Sequence, residues 1–257
     1  MVGTLAGAPD NCHGVARDPT GPAGIMGSMA NSLLTGATGG IGKVIAQRLH
    51  DRGDRLFLLG RDGAALDALA KEFPGTEVLV ADVGRPTELA AELAGLLPDR
   101  LDALVHCAGA VELGPVGDLD PEIWQTMFAV NLAGPAELTR LTLPALRAAA
   151  GHVVLVNSGA GLAAHAGWGA YAASKFGLRA LADALRAEEH GNGVRVTSVY
   201  PGRTATAMQE KVHLQEGADY VPEEWIQPDS VASAVMAALD LPRDAEVTDL
   251  TVRPGLR

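Results

Sequence analysis

The chain has 257 residues, 47% of them hydrophobic and 20% charged, which is enough apolar surface for one large α/β domain and too much for a disordered chain. A formal net charge of −11, with no stretch that concentrates lysine and arginine, excludes a nucleic-acid footprint and speaks against docking on an anionic membrane. No apolar run reaches the ~20 residues of a membrane span, and two cysteines, Cys12 and Cys107, make no disulfide framework, which fits a reducing cytoplasm.

Residues 1–29 are rich in Gly and Pro and follow neither a period of 2 nor one of 3.6, so a disordered leader is expected there. A single domain is expected over 30–257. Strands are predicted at 32–36, 55–60, 77–82, 101–109, 152–158, 194–202 and 246–254. Helices are predicted at 40–51, 62–72, 86–96, 119–149, 170–190 and 228–240. The strand segments are apolar throughout rather than alternating, so each is buried on both faces. Alternation of strand and helix then implies a Rossmann-type, doubly wound parallel sheet of about seven strands with helices on both faces. Such sheets bind ligands at the carboxyl ends of their strands.

The first strand runs into Thr35-Gly36-Ala37-Thr38-Gly39-Gly40-Ile41-Gly42, followed by a helix. Glycine suits a tight turn that a pyrophosphate must approach, and the helix N-terminus offers free N–H groups. A mononucleotide P-loop is ruled out twice: Ala37 stands where its first glycine belongs, and Val44 follows Lys43. At the end of the second strand, Gly60-Arg61 replaces the acidic residue that would bind a ribose 2′-hydroxyl. A guanidinium there suits a 2′-phosphate instead.

Tyr171 and Lys175 lie four residues apart in a helical segment and share one face. Such a pair arises by chance in about one sequence of this composition in twenty. It is joined by Ser158, thirteen residues before Tyr171, and by Asn131 inside a helical segment.

These residues, in this order, resemble the short-chain dehydrogenase/reductase family, whose fingerprint is similar to the Thr-Gly-x-x-x-Gly-Ile-Gly run over 35–42. The resemblance implies a set of four catalytic residues: Asn131, Ser158, Tyr171 and Lys175. It further implies that Gly36, Thr38, Gly40, Ile41, Gly42 and Arg61 bind a dinucleotide with Asp82, Val83, Ala108, Gly109, Tyr171, Lys175, Pro201, Gly202 and Thr206. His106-Cys107 stands where the family has two asparagines, and Cys107 reads as a buried small hydrophobe. The cofactor expected is NADP(H) rather than NAD(H), with no metal. The reaction expected is hydride transfer to or from a small carbonyl or alcohol, with Tyr171 as acid/base. A catalytically silent NADP-binding regulator is the alternative. An epimerase or dehydratase of the family's longer branch is disfavoured, because only about fifty residues follow Pro201-Gly202. Trp168 and the polar stretch 207–225 are candidate pocket walls, the charges of the latter reading as a solvated face. By resemblance the partner set is a small-molecule substrate and further copies of the chain, as a homodimer or homotetramer, in the cytoplasm.

Overall fold

The structure, a computed structural model, describes Gly3 and residues 29–255. Apart from Gly3 and Met29, the expected leader lies outside the described residues. Seven strands form one parallel sheet: β1 (Asn31–Thr35), β2 (Arg55–Gly60), β3 (Glu77–Val80), β4 (Ala103–His106), β5 (His152–Val156), β6 (Arg195–Pro201) and β7 (Asp249–Val252). Their spatial order is β3-β2-β1-β4-β5-β6-β7. The chain steps outward from β1 to β3 and then returns to place β4 against the other side of β1. A crevice must therefore open at the carboxyl ends of β1 and β4.

Successive apolar residues of each strand serve opposite faces, which is why these segments carry no polar alternation. Leu33, Leu104, Val153 and Leu155 pack with Leu138, Leu146, Leu178 and Leu185. These helical partners come from α5 (Gly134–Ala149) and α6 (Gly169–Glu189), with α3 (Leu89–Glu92) on the same side. Leu34, Val105, Val154 and Val156 pack on the other face with Ile45, Leu49, Leu66, Val231 and Val235. Those belong to α1 (Gly40–Asp51), α2 (Gly63–Glu72) and α8 (Pro228–Leu239).

Two segments differ from the sequence reading. The helix predicted over 119–149 is α4 (Pro121–Phe128), one π turn (Ala129–Ala133) and then α5. The polar stretch after residue 206 contains a further helix, α7 (Ala207–Glu216). It lacks an apolar stripe because only Gln209, Val212 and His213 are buried along it. Its start is set instead by Thr206, whose side chain accepts from the Gln209 N–H at 3.2 Å.

Candidate active site

A cavity of about 900 Å³ runs along the carboxyl ends of the strands, from Arg61 and Asp82 past the glycine loop to Ser158, Tyr171 and Trp168. The loop is built by close backbone approach. Gly36 has φ +74°, and a Cβ there would fall 2.6 Å from the Ala108 nitrogen. At Gly42 a Cβ would come 2.1 Å from the Gly36 carbonyl oxygen. Thr35 locks the same junction: its Oγ1 accepts from both the Cys107 and Ala108 N–H groups at 3.1 Å. Gly39 caps α1 without any side-chain acceptor, so donors of the first turn remain for a ligand. Thr38, Gly40, Ile41 and Gly42 line the cavity here, as do Val83, Ala108, Gly109, Pro201, Gly202 and Thr206. Any side chain on Gly36 or Gly42 would collide with backbone, so the loop depends on glycine, and its open first-turn N–H groups suit the pyrophosphate of a dinucleotide.

Arg61 is exposed at the end of β2 and forms no ion pair among the described residues. Its neighbour Asp62 is occupied elsewhere, accepting from the Ala65 N–H at 3.0 Å as the cap of α2.

Tyr171, Ser174, Lys175 and Leu178 form one buried face of α6. Ser158, two residues beyond the end of β5, lines the same cavity as Tyr171 and stabilises its ionised form. Burial raises the Tyr171 pKa above its ordinary 10, and Ser158 offsets only part of that. At neutral pH the Tyr171 hydroxyl is therefore protonated. The Lys175 ammonium lies 5.8 Å from the Tyr171 ring centre and donates to the Val156 carbonyl at 3.2 Å. Burial lowers its pKa to about 8.

Asn131 sits in the π turn, at 1% exposure, behind the cavity rather than on its wall. Its Nδ2 donates to the Ala110 carbonyl at 2.9 Å and to Ser174 Oγ at 3.0 Å, while its Oδ1 accepts from the Ala110 N–H at 2.9 Å. The π turn thus ties the segment after β4 to α6. Ser174 Oγ completes the link by donating to the Tyr171 carbonyl at 2.7 Å. His106 replaces an expected asparagine by bonding Thr139 Oγ1 at 2.9 Å, and burial lowers its pKa to about 3, so it is neutral. Burial likewise pushes the Cys107 thiol up to about 12, which makes it inert.

Four contributors escaped the sequence reading as site residues: Thr35, Asn157, Ser174 and Arg203. Asn157 Nδ2 donates to the Lys175 carbonyl at 3.1 Å, anchoring the middle of α6. Ser174 had a usable signal, its place between Tyr171 and Lys175. The position of Arg203 depends on α7, which carries no periodic pattern.

The family model for short chain dehydrogenases matches residues 31–217. An uncharacterized short-chain type dehydrogenase/reductase of Sinorhizobium fredii is 35% identical over 228 residues, covering 87% of this chain and 90% of that protein. The closed form of a serine dehydrogenase complexed with NADP+ superimposes with a TM-score of 0.78 at 28% identity, covering 88% of this chain and 98% of the other. A metagenomic short-chain oxidoreductase in complex with NADP gives a TM-score of 0.75 at 32% identity over 89% and 98% of the two chains. Fold, glycine loop and sequence similarity over most of the chain agree, and the protein belongs to the short-chain dehydrogenase/reductase family of oxidoreductases.

Proposed function

We propose that the chain reversibly transfers hydride between NADP(H) and a small carbonyl or alcohol, with Tyr171 as general acid/base. One observation carries this reading: Tyr171, beside Lys175, opens with Ser158 into the same cavity as the glycine loop. When bound, the nicotinamide supplies the carbon that gives or takes the hydride. Gly36 to Gly42 would hold the pyrophosphate and Arg61 the 2′-phosphate. Asp82 and Val83 would face the adenine, with Ala108 and Gly109 along the nucleoside. Lys175 would hold the nicotinamide ribose, and Pro201, Gly202 and Thr206 the carboxamide.

The raised pKa keeps a proton on Tyr171 Oη at neutral pH. That proton passes to the substrate oxygen as C=O becomes CH–OH, while Ser158 Oγ hydrogen-bonds the same oxygen and stabilises its developing charge. Asn131 and Ser174 act as positioning residues, holding the Tyr171 segment of α6 through the π turn. A homodimer or homotetramer through the helices at 119–149 (α4 and α5) and 170–190 (α6) is supported by exposed Phe128 and Phe176. A cytoplasmic setting fits the free thiol of Cys107. The NADP-bound neighbours support the cofactor class.

A screen of carbonyls with NADPH and NADH, and of alcohols with the oxidised forms, tests the reading. Steady NADPH consumption with at least one carbonyl is expected. A silent cofactor-binding regulator would bind NADPH and turn over nothing.

A further inference from the structure

Arg203, just beyond β6, and Glu216, the last residue of α7, both line the cavity at its Tyr171 end. Their contact is bidentate: Nη1 to Oε2 at 2.6 Å and Nη2 to Oε1 at 2.7 Å. The guanidinium also lies 5.8 Å from the Trp168 ring centre and 5.5 Å from that of Trp225. Arg203 holds the Glu216 carboxyl below the usual carboxylate range, with a smaller contribution from the Trp168 side chain. Trp168 packs edge-on against Tyr171 with ring centres 5.9 Å apart. The guanidinium therefore lies within about 12 Å of the Tyr171 ring. Val111 and Val212 pack in one apolar cluster with Tyr171 and Trp168, and Met208 lines the same cavity.

We propose that this end of the cavity selects an uncharged carbonyl compound, apolar in its body and hydrogen-bonding at its far end, and rejects one that ends in a carboxylate. The assignment rests on the carbonyl-reducing reading above. A neutral amide or hydroxyl can use the N–H groups and lone pairs that the Arg203–Glu216 pair leaves over. A substrate carboxylate has to share the guanidinium with Glu216 or expel it, against the two hydrogen bonds of the bidentate pair. Among the described cavity-lining residues, the other carboxylate, Asp82, and the exposed cation, Arg61, stand at the ends of β3 and β2. From Ser158 they are separated by β1 and β4.

The test uses two aldehydes of one shape, 4-formylbenzamide and 4-formylbenzoate. Each is titrated by calorimetry into the protein saturated with NADP+, in which no reduction takes place. The wild type is expected to bind the amide at least about tenfold more tightly. Glu216→Gln frees the guanidinium and should strengthen carboxylate binding roughly ten- to a hundredfold. A wild type that binds the carboxylate as well as the amide, or binds neither, overturns the proposal. So does a folded Glu216→Gln protein with an unchanged ratio. The wild-type ratio is decisive by itself if the variant does not fold. Turnover is then measured separately with NADPH. The expected binding ratio with no turnover of these or of any other carbonyl in the screen leaves this assignment standing and sinks the carbonyl-reducing reading, whereas turnover of both compounds without discrimination does the reverse.

Discussion

Lys175 is 3% exposed, and burial brings its pKa from 10.5 to about 8. An ammonium in that position is destabilising, and Lys175→Met should reveal the effect through its pH dependence. In the unfolded chain the lysine keeps its proton up to about pH 10.4, so between pH 8 and that value the unfolded state binds more protons than the native one. Wild-type stability contributed by this group therefore rises across the window and is lowest below pH 8. At about 1.4 kcal/mol per pKa unit, the buried charge costs roughly 3 kcal/mol at pH 7. Replacing it with Met also removes the bond to the Val156 carbonyl and alters packing, but those effects do not vary with pH. The Cys107 thiol, held at about 12 in the fold and titrating at about 8.5 when unfolded, adds a slope of the opposite sign, but both proteins carry it and it cancels from their difference. Relative to Lys175→Met, the wild type should thus gain about 2–3 kcal/mol between pH 7 and pH 10. In a domain of this size that moves the difference in melting temperature by roughly 5–10 °C. Paired thermal melts at the two pH values measure it. A difference that stays constant would refute the reasoning, because it would mean that the ammonium is solvated in the folded protein. A destabilising cation retained beside Tyr171 is what a site kept for chemistry rather than stability looks like.

Arg61→Ala should weaken NADPH binding about ten- to a hundredfold and leave NADH nearly unchanged, since one charge-assisted contact to a 2′-phosphate is lost; equal weakening of both, by fluorescence titration, would mean that Arg61 only covers the adenine. Acid should destabilise the fold early, because His106 and His152 are buried with pKa values near 3. The unfolded chain protonates both near 6.5, so stability falls as pH drops from about 6.5 toward 3, by roughly 2 kcal/mol per histidine at pH 5. His106→Asn should remove about half of that fall in denaturant midpoints taken at pH 7 and 5, and an unaltered fall would show that His106 is accessible to protons in the native state.

Much of this architecture was legible because buried parallel strands and the glycine loop leave local signals. Leu33 and Leu34, or Val153 and Val154, must both be apolar when each serves a different face. The Tyr171–Lys175 pair is legible for the same kind of reason, since one helix positions both. Features that depend on two distant segments were not. The π turn at 129–133 is invisible in a helical pattern, yet it turns Asn131 toward Ala110 and Ser174 and away from the cavity wall. Residues 207–216 read as solvated polar chain because their helix is held by its Thr206 cap and by contacts such as Lys211 to Glu112 at 2.7 Å and Arg203 to Glu216. The Tyr171 pKa was also out of reach: spacing shows which cation is near, whereas burial, the larger effect here, is a tertiary property.

The most direct test of the account is Tyr171→Phe, which keeps the ring and its packing on Trp168 and removes only the hydroxyl proton. Reduction of a carbonyl accepted by the wild type should fall by at least 10²–10⁴-fold in kcat, while the dissociation constant for NADPH changes less than about threefold. A variant that retains most of its turnover would contradict the assignment of Tyr171 as the acid/base and with it the proposed reaction.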